Sequence, residues 1–376
     1  PFEILQDIGI TNFVEKDQNI KQPKFINDLY LNYKRDWYLK KQLYVDSYST
    51  LRKHNLDDSD GSSTINEIRA INKKTNKIYK YNVVRFHSKA NILDDFCMND
   101  LNRAAENDLI IINNGMQFSA GVNLNYVMNF AKNKEWKKIE KFIFNFQTTC
   151  KKLKYSEFPV ISAPSGLAIG GGFEVVCQSD YVVSHTNVVF GLVETLVGLI
   201  PAGGGCKEML LRWMQTQESK NDPNFAPLKV FDLIGYAKTA SSPNEALPHR
   251  FLLEKDRVVI NRDRLLHESE KLLEEIHKDY KTPKEPTFYL PGSSVRDKMH
   301  ELLENLFKDK KILEHGLEVG KQLSFVLSGG NTNINKDLSE DDIYALELEA
   351  FMNLIQMPKT QERIKHTLET GKPLVN

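Results

Sequence analysis

PVISAPSGLAIGGGFEVVCQSDYVVS, residues 159–184, is the stretch whose reading decides the fold. Pro159–Ala163 is a short apolar run and reads as a strand. Gly170–Glu174 reads as a turn into a helix that runs to Gln178, and Asp180–Ser184 is a second strand. Strand, glycine turn, helix and strand in that order describe an α/β layered core. Upstream, Lys134–Leu153 places Trp136, Ile139, Phe142, Ile143, Phe146, Cys150 and Leu153 on one helical face, with lysines on the other. Leu109–Ile112 is a continuous apolar run, expected to be a buried strand. Leu93–Ala105 has helical spacing, and Ile78–Phe86 reads as a hairpin strand after a turn at Lys73–Lys77. Downstream, the pattern from Val258 onward is almost wholly helical. Arg264–Ile276, Val295–Phe307, Glu340–Ile355 and Gln361–Leu368 all show three-and-four spacing.

The amino-terminal part reads differently. Residues 1–54 alternate short apolar patches with polar stretches, and Tyr30, Tyr33, Trp37 and Tyr38 fit one side of a helix. Asn55–Ser63 is polar and rich in breakers, which suggests a linker. The expected organisation is therefore 1–54, a tail that packs on something else; 55–75, linker and start of the hairpin; 76–280, the α/β domain; and 281–376, a helical module.

The chain has 376 residues, enough for a large core, and equal numbers of basic and acidic residues, 50 of each. A neutral balance argues against general binding to nucleic acid or to a membrane surface. No apolar run is long enough to span a bilayer. Cys97, Cys150, Cys177 and Cys206 form no C-x-x-C pair and sit near no histidine cluster, so neither a disulfide framework nor a metal site is expected. Buried free thiols fit a reducing, cytoplasmic compartment.

Two glycine clusters and two acids carry the chemical signal. Gly170, Gly171 and Gly172 precede Glu174, and Gly203, Gly204 and Gly205 follow Pro201-Ala202. Neither cluster has the dinucleotide-binding spacing. Glycines at a helix start allow close backbone approach and leave N–H groups at a positive dipole end, where an oxyanion is stabilised. The same spacing also suits a plain packing turn. Glu174 and Glu194 lie in apolar surroundings, which suits paired acid–base work or, equally, capping and salt-bridge roles.

Phe118-Ser119-Ala120-Gly121-Val122-Asn123-Leu124 resembles the crotonase motif F-x-A-G-x-D-L. Residues 159–180 resemble the family's glycine-rich signature, and Phe190–Gly205 resembles the segment that bears its second glutamate. The three blocks occur in the family order, and the core resemblance spans roughly residues 76–280. It implies a crotonase-type ββα spiral with a helical C-terminal extension, an acyl-CoA thioester substrate, and an oxyanion hole of backbone N–H groups at Ala120 and Gly171. Ser119, Gly121, Gly170 and Gly172 would contact substrate. Glu174 would orient a water as base and Glu194 would protonate the α-carbon, giving enoyl-CoA hydration. Keeping both glutamates favours a hydratase over an isomerase, the first alternative; a non-catalytic CoA-binding or docking module is the second.

The chain ends resemble bifunctional enzymes in which a 3-hydroxyacyl-CoA dehydrogenase precedes a crotonase domain. Pro1–Gly9 is similar to the end of the dehydrogenase part, and Leu346–Asn376 to the C-terminus of such fusions. The expectation is a hydratase half whose NAD-binding partner domain lies upstream, so that no cofactor is assigned to these residues beyond the CoA of the substrate. Crotonase domains often form trimers, so self-association is compatible with the reading. Three positions depart from the family pattern. Asn123 replaces an Asp, Cys206 sits where Thr is common, and Arg250 stands where relatives tend to have Gly. The lysines at 132, 134, 137, 138 and 141 form a basic face that would suit CoA phosphates or plain solvation.

Overall fold

A computed structural model describes residues 49–51, 62–72, 77–113 and 115–376. The expectations for residues 1–48, including the aromatic helix, lie outside the described residues, as does most of the anticipated linker. The chain divides into two compact units, residues 1–51 with 70–79 and residues 52–69 with 80–376. In the first, Ser49–Leu51 is a short strand. Apart from residues 70–72 and 77–79, everything below lies in the second.

Two strands, β1 (Ser63–Asn72) and β2 (Lys77–Phe86), precede helix α1 (Asp95–Ala104) and strand β3 (Leu109–Ile112). β1 lies partly in the stretch read as linker. Helices α2 (Leu124–Lys132) and α3 (Trp136–Lys154) follow, then β4 (Val160–Ala163), β5 (Leu167–Ile169) and α4 (Gly171–Cys177). Next come β6 (Tyr181–His185), β7 (Val189–Gly191), α5 (Gly205–Met214) and α6 (Phe225–Gly235). β8 (Thr239–Ala240), β9 (Arg257–Val259) and α7 (Leu265–Ile276) complete the core.

The larger sheet runs β1-β2-β3-β4-β6-β9, and a small one runs β5-β7-β8. From β2 to β9 every neighbouring pair is parallel, with Leu109 opposite Val160 and Ile161 opposite Tyr181. In the small sheet Leu167 pairs with Val189 in parallel, and Phe190 with Ala240 antiparallel. The chain thus repeats one unit: a strand in the large sheet, a strand in the small sheet, then a helix. β4-β5-α4 is one such unit and β6-β7-α5 the next. β3, the isolated bridge from Ser119 to Ala168, and α2 make an earlier turn of the same ββα spiral.

Parallel strands covered on both faces must be apolar throughout, and β3 and β4 are fully buried. α3 buries Ile139, Phe142, Ile143, Phe146, Cys150 and Leu153 against this core. Phe173 of α4 packs on Phe190 of β7, ring centroids 5.3 Å apart, and on Phe251 at 5.1 Å. Burying one such ring contributes about 1.5–3 kcal/mol, which fixes α4 on the small sheet.

The carboxy-terminal module is α8 (Ser293–Lys308), α9 (Glu314–Leu327), α10 (Glu340–Ile355) and α11 (Pro358–Thr370). A capping box starts α10, where Ser339 accepts from Asp342 N and the Asp342 side chain accepts from Ser339 N. The module docks on the core: α10 lies against α3 and α5, and α11 against α2. The region from Val258 is almost wholly helical, as expected, apart from the edge strand β9 (Arg257–Val259) beside β6 and a short antiparallel pair, Phe288–Tyr289 with Asp337–Leu338.

Candidate active site

Three loops meet at a cavity of about 320 Å³. Ala120 to Leu124 supply one wall, Ile169 to Glu174 the second, and Val193 to Gly203 the third. Phe351, Thr367, Gly371 and Pro373 of the C-terminal module close it. Most of the lining is apolar, so the few polar groups that face it stand out.

Glu174 sits one turn into α4 and is 3% exposed. Its Oε1 accepts the N–H of Gly203 at 2.7 Å and of Gly205 at 2.8 Å. Burial pushes its carboxyl up to about 7, while the Gly205 and Gly203 N–H groups and the charge of Lys207 pull it back. Gly203 must be glycine, since a Cβ there would stand 2.2 Å from Phe146.

Glu194 opens a 3-10 turn, Glu194–Val197, after β7. The residue as a whole is half-buried, yet both carboxylate oxygens are buried and have no hydrogen-bond partner among the described residues. Burial, then the charge of Glu174, raises its carboxyl well above the usual range. Two acids lining one cavity, one braced by two N–H groups and the other unbraced, have different affinities for a proton.

Gly171 is the first residue of α4, so its N–H has no intrahelical acceptor. A Cβ on Gly171 would stand 3.2 Å from the backbone N of Val122, so the two segments pass closely here. The N–H of Ala120 donates to Ala90 O at 3.1 Å and is engaged elsewhere. Contrary to the expectation, the Ala120 N–H is thus not free for an oxyanion in this structure, and Ala120 contributes wall to the cavity.

Of the residues expected to touch substrate, Gly121 and Gly170 line the cavity. Ser119 and Gly172 do not. The Ser119 hydroxyl accepts the N–H of Gly121 at 3.1 Å, and Gly172 packs against Ser119, whose carbonyl oxygen would lie 2.6 Å from an added Cβ. Asn123 caps α2 by accepting from Tyr126 N at 3.1 Å, the same bond an Asp would make. Cys206 is buried near Pro201 O at 3.8 Å, a packing position. Arg250 adopts a φ of +56°, which explains why glycine suits that turn. Lys132, Lys134, Lys137, Lys138 and Lys141 are all exposed, and Lys138 pairs with Glu135 at 2.8 Å. All four cysteines are buried and free.

Two residues near the site were missed by sequence reasoning. Val122 was legible as a neighbour of Gly121 in the motif but carries no chemical side chain. Glu347 was legible as a lone acid on the apolar face of α10, three residues from Tyr344 and four from Phe351.

Comparison with known proteins finds the following likenesses. The family described as Enoyl-CoA hydratase/isomerase matches residues 82–220. Over those residues the chain is similar to that family. A probable 3-hydroxyacyl-CoA dehydrogenase of Bacillus subtilis is 29% identical over 301 residues, covering 78% of this chain and 38% of that protein. A putative fatty acid oxidation complex trifunctional enzyme of Rickettsia felis is 28% identical over 260 residues, covering 69% of this chain and 32% of that protein. The chain thus spans roughly a third of the length of these curated relatives. The crystal structure of an enoyl-CoA hydratase from Bacillus halodurans overlays 76% of this chain and 95% of its own at 16% identity, with a TM-score of 0.49. No helix among the described residues is long and apolar enough to cross a membrane.

Proposed function

We propose that this chain hydrates trans-2-enoyl-CoA thioesters to 3-hydroxyacyl-CoA. The observation that carries the reading is the pair of buried acids on one cavity, Glu174 and Glu194, with unequal partners. Glu174 is the acid that ionises first, because two N–H groups and Lys207 favour its charge. It takes a proton from water as the oxygen adds to C3 of the enoyl group. The electron pair moves through C2 to the thioester oxygen. In this reading the N–H of Gly171, which lines the cavity at the start of α4, holds the resulting oxyanion, and the dipole of α4 adds to the effect. Glu194, kept protonated, gives its proton to C2, and the proton that Glu174 took from water passes to Glu194 before the next turnover. The net change is addition of H and OH across the double bond, with no electrons gained or lost. CoA travels with the substrate, and the chain needs no other cofactor for this step.

The product is a secondary alcohol two carbons from the thioester, which is what a 3-hydroxyacyl-CoA dehydrogenase oxidises. The names of the relatives support a place in fatty-acid β-oxidation, with such a dehydrogenase carried on the same polypeptide. The test follows the enoyl-thioester absorbance of crotonyl-CoA. Its decay in the presence of the chain, abolished by Glu194→Gln, is the expected result. Saturable acyl-CoA binding without turnover would refute hydration and favour a docking module.

A further inference from the structure

Helix α10 carries a buried carboxylate that the hydration step does not use. Glu347 is fully buried and does not line the cavity. Its Oε2 accepts the N–H of Gly204 at 2.7 Å, and its Oε1 the N–H of Lys207 at 2.8 Å. Both oxygens therefore end on the first turn of α5. That turn also holds Glu174, through Gly203 N and Gly205 N. The donors interleave along the chain: 203 and 205 serve Glu174, while 204 and 207 serve Glu347.

A helix start leaves its first N–H groups without intrahelical acceptors and at a positive dipole end, so carboxylates are its natural partners. Here two of them, from opposite sides, share one start. The turn itself is three consecutive glycines, and Gly204 has a φ of +99°. Such a stretch has little conformational preference of its own. Something outside it must fix the peptide planes that aim N–H groups at Glu174. We infer that Glu347 is a positioning residue: by clamping the Gly204 and Lys207 amides, it fixes the orientation of the Gly203 and Gly205 amides that hold the catalytic Glu174. A second grip from the same helix supports this. The Lys207 ammonium, 0% exposed, donates to Glu340 at 2.7 Å. The helical module is thereby part of the catalytic apparatus of the core, in addition to its role as a lid.

The inference rests on the hydratase reading of Glu174. Its test is Glu347→Gln, assayed beside wild type, Glu174→Gln and Leu354→Ala, a core change on the same helix away from the cavity. Gln keeps the volume but turns an NH2 toward one of the two donors. The expected result is a kcat lowered about 10–100-fold with KM within about threefold, as for a small misplacement of a reacting group. Leu354→Ala should lower the Tm at least as much while kcat per folded molecule stays within about twofold of wild type. Should the Gln variant not fold, Glu347→Asp, one methylene short, replaces it with the same expected split. A kcat within twofold of wild type in the Glu347 variant, or an equal loss in Leu354→Ala, overturns the positioning role alone. Absence of hydration by wild type overturns the hydratase reading and the role of Glu347 with it.

Discussion

Replacing Glu174 by Gln should damage catalysis and stabilise the fold, and the second effect has a definite pH dependence. One oxygen, Oε1, accepts both the Gly203 and Gly205 N–H groups. A Gln side-chain carbonyl accepts the same two bonds, so the α5 turn has no reason to move. What disappears is the buried charge. The wild-type carboxyl is raised from its usual 4.5 to about 7 in the fold. Between those values the folded chain holds a proton that the unfolded chain has lost. Stability from this group is therefore full below pH 4.5 and is lost as pH rises through 7. The gap, at about 1.4 kcal/mol per pH unit, amounts to about 3 kcal/mol. Denaturant unfolding of both proteins, at pH values below 5 and near 8, reads this term together with the linked change at Glu194, whose carboxyl feels the Glu174 charge. The Gln variant should gain about 3 kcal/mol on wild type across that interval. In the same preparation kcat for crotonyl-CoA should fall about 10²–10⁴-fold, the usual weight of a general base. A pH-independent stability difference would refute the buried-charge argument. A kcat near wild type would refute the role of Glu174.

Glu194→Gln removes the proton donor; kcat should fall at least about 100-fold, and the residual pH–rate profile should lose its alkaline limb while keeping the acid one. Lys207→Met leaves Glu340 buried without its cation, which should cost about 3–5 kcal/mol in denaturant unfolding. The same change removes a positive charge that favours ionised Glu174, so the acid limb of the rate profile should move to higher pH. Arg250→Gly relieves a left-handed backbone at φ +56° and should raise stability by up to about 1 kcal/mol, read as a higher midpoint with unchanged kcat.

Most of the ββα core was legible because its elements announce themselves locally. β3 and β4 are unbroken apolar runs, and α3 repeats its apolar face over five turns. The small sheet was not legible. Leu167–Ile169 and Val189–Gly191 are three residues each, too short for a period-two pattern, and are strands only because they pair with each other. β9 was hidden for the same reason. At the site, Glu174 and Glu194 were legible as acids in apolar surroundings, and they do share a cavity. The Ala120 assignment failed because side-chain identity says nothing about where an amide points. Ala120 N–H is used by Ala90 O, which belongs to a loop thirty residues upstream. Only the three-dimensional path of that loop shows that the Ala120 amide is engaged.

The same point governs the division of labour between the two acids. Sequence offers two glutamates of equal intrinsic acidity in similar apolar company. Their proton affinities separate through backbone groups. Glu174 meets the start of α5, where two N–H groups and a positive dipole end lower the cost of its charge. Both oxygens of Glu194 are buried without a hydrogen-bond partner among the described residues, and burial together with the charge of Glu174 raises its carboxyl well above the usual range. In the proposed hydration, Glu174 serves as the base because it is the glutamate that the start of α5 faces. The placement of α5 depends in turn on Glu347 and Glu340 of α10, a helix far away in sequence.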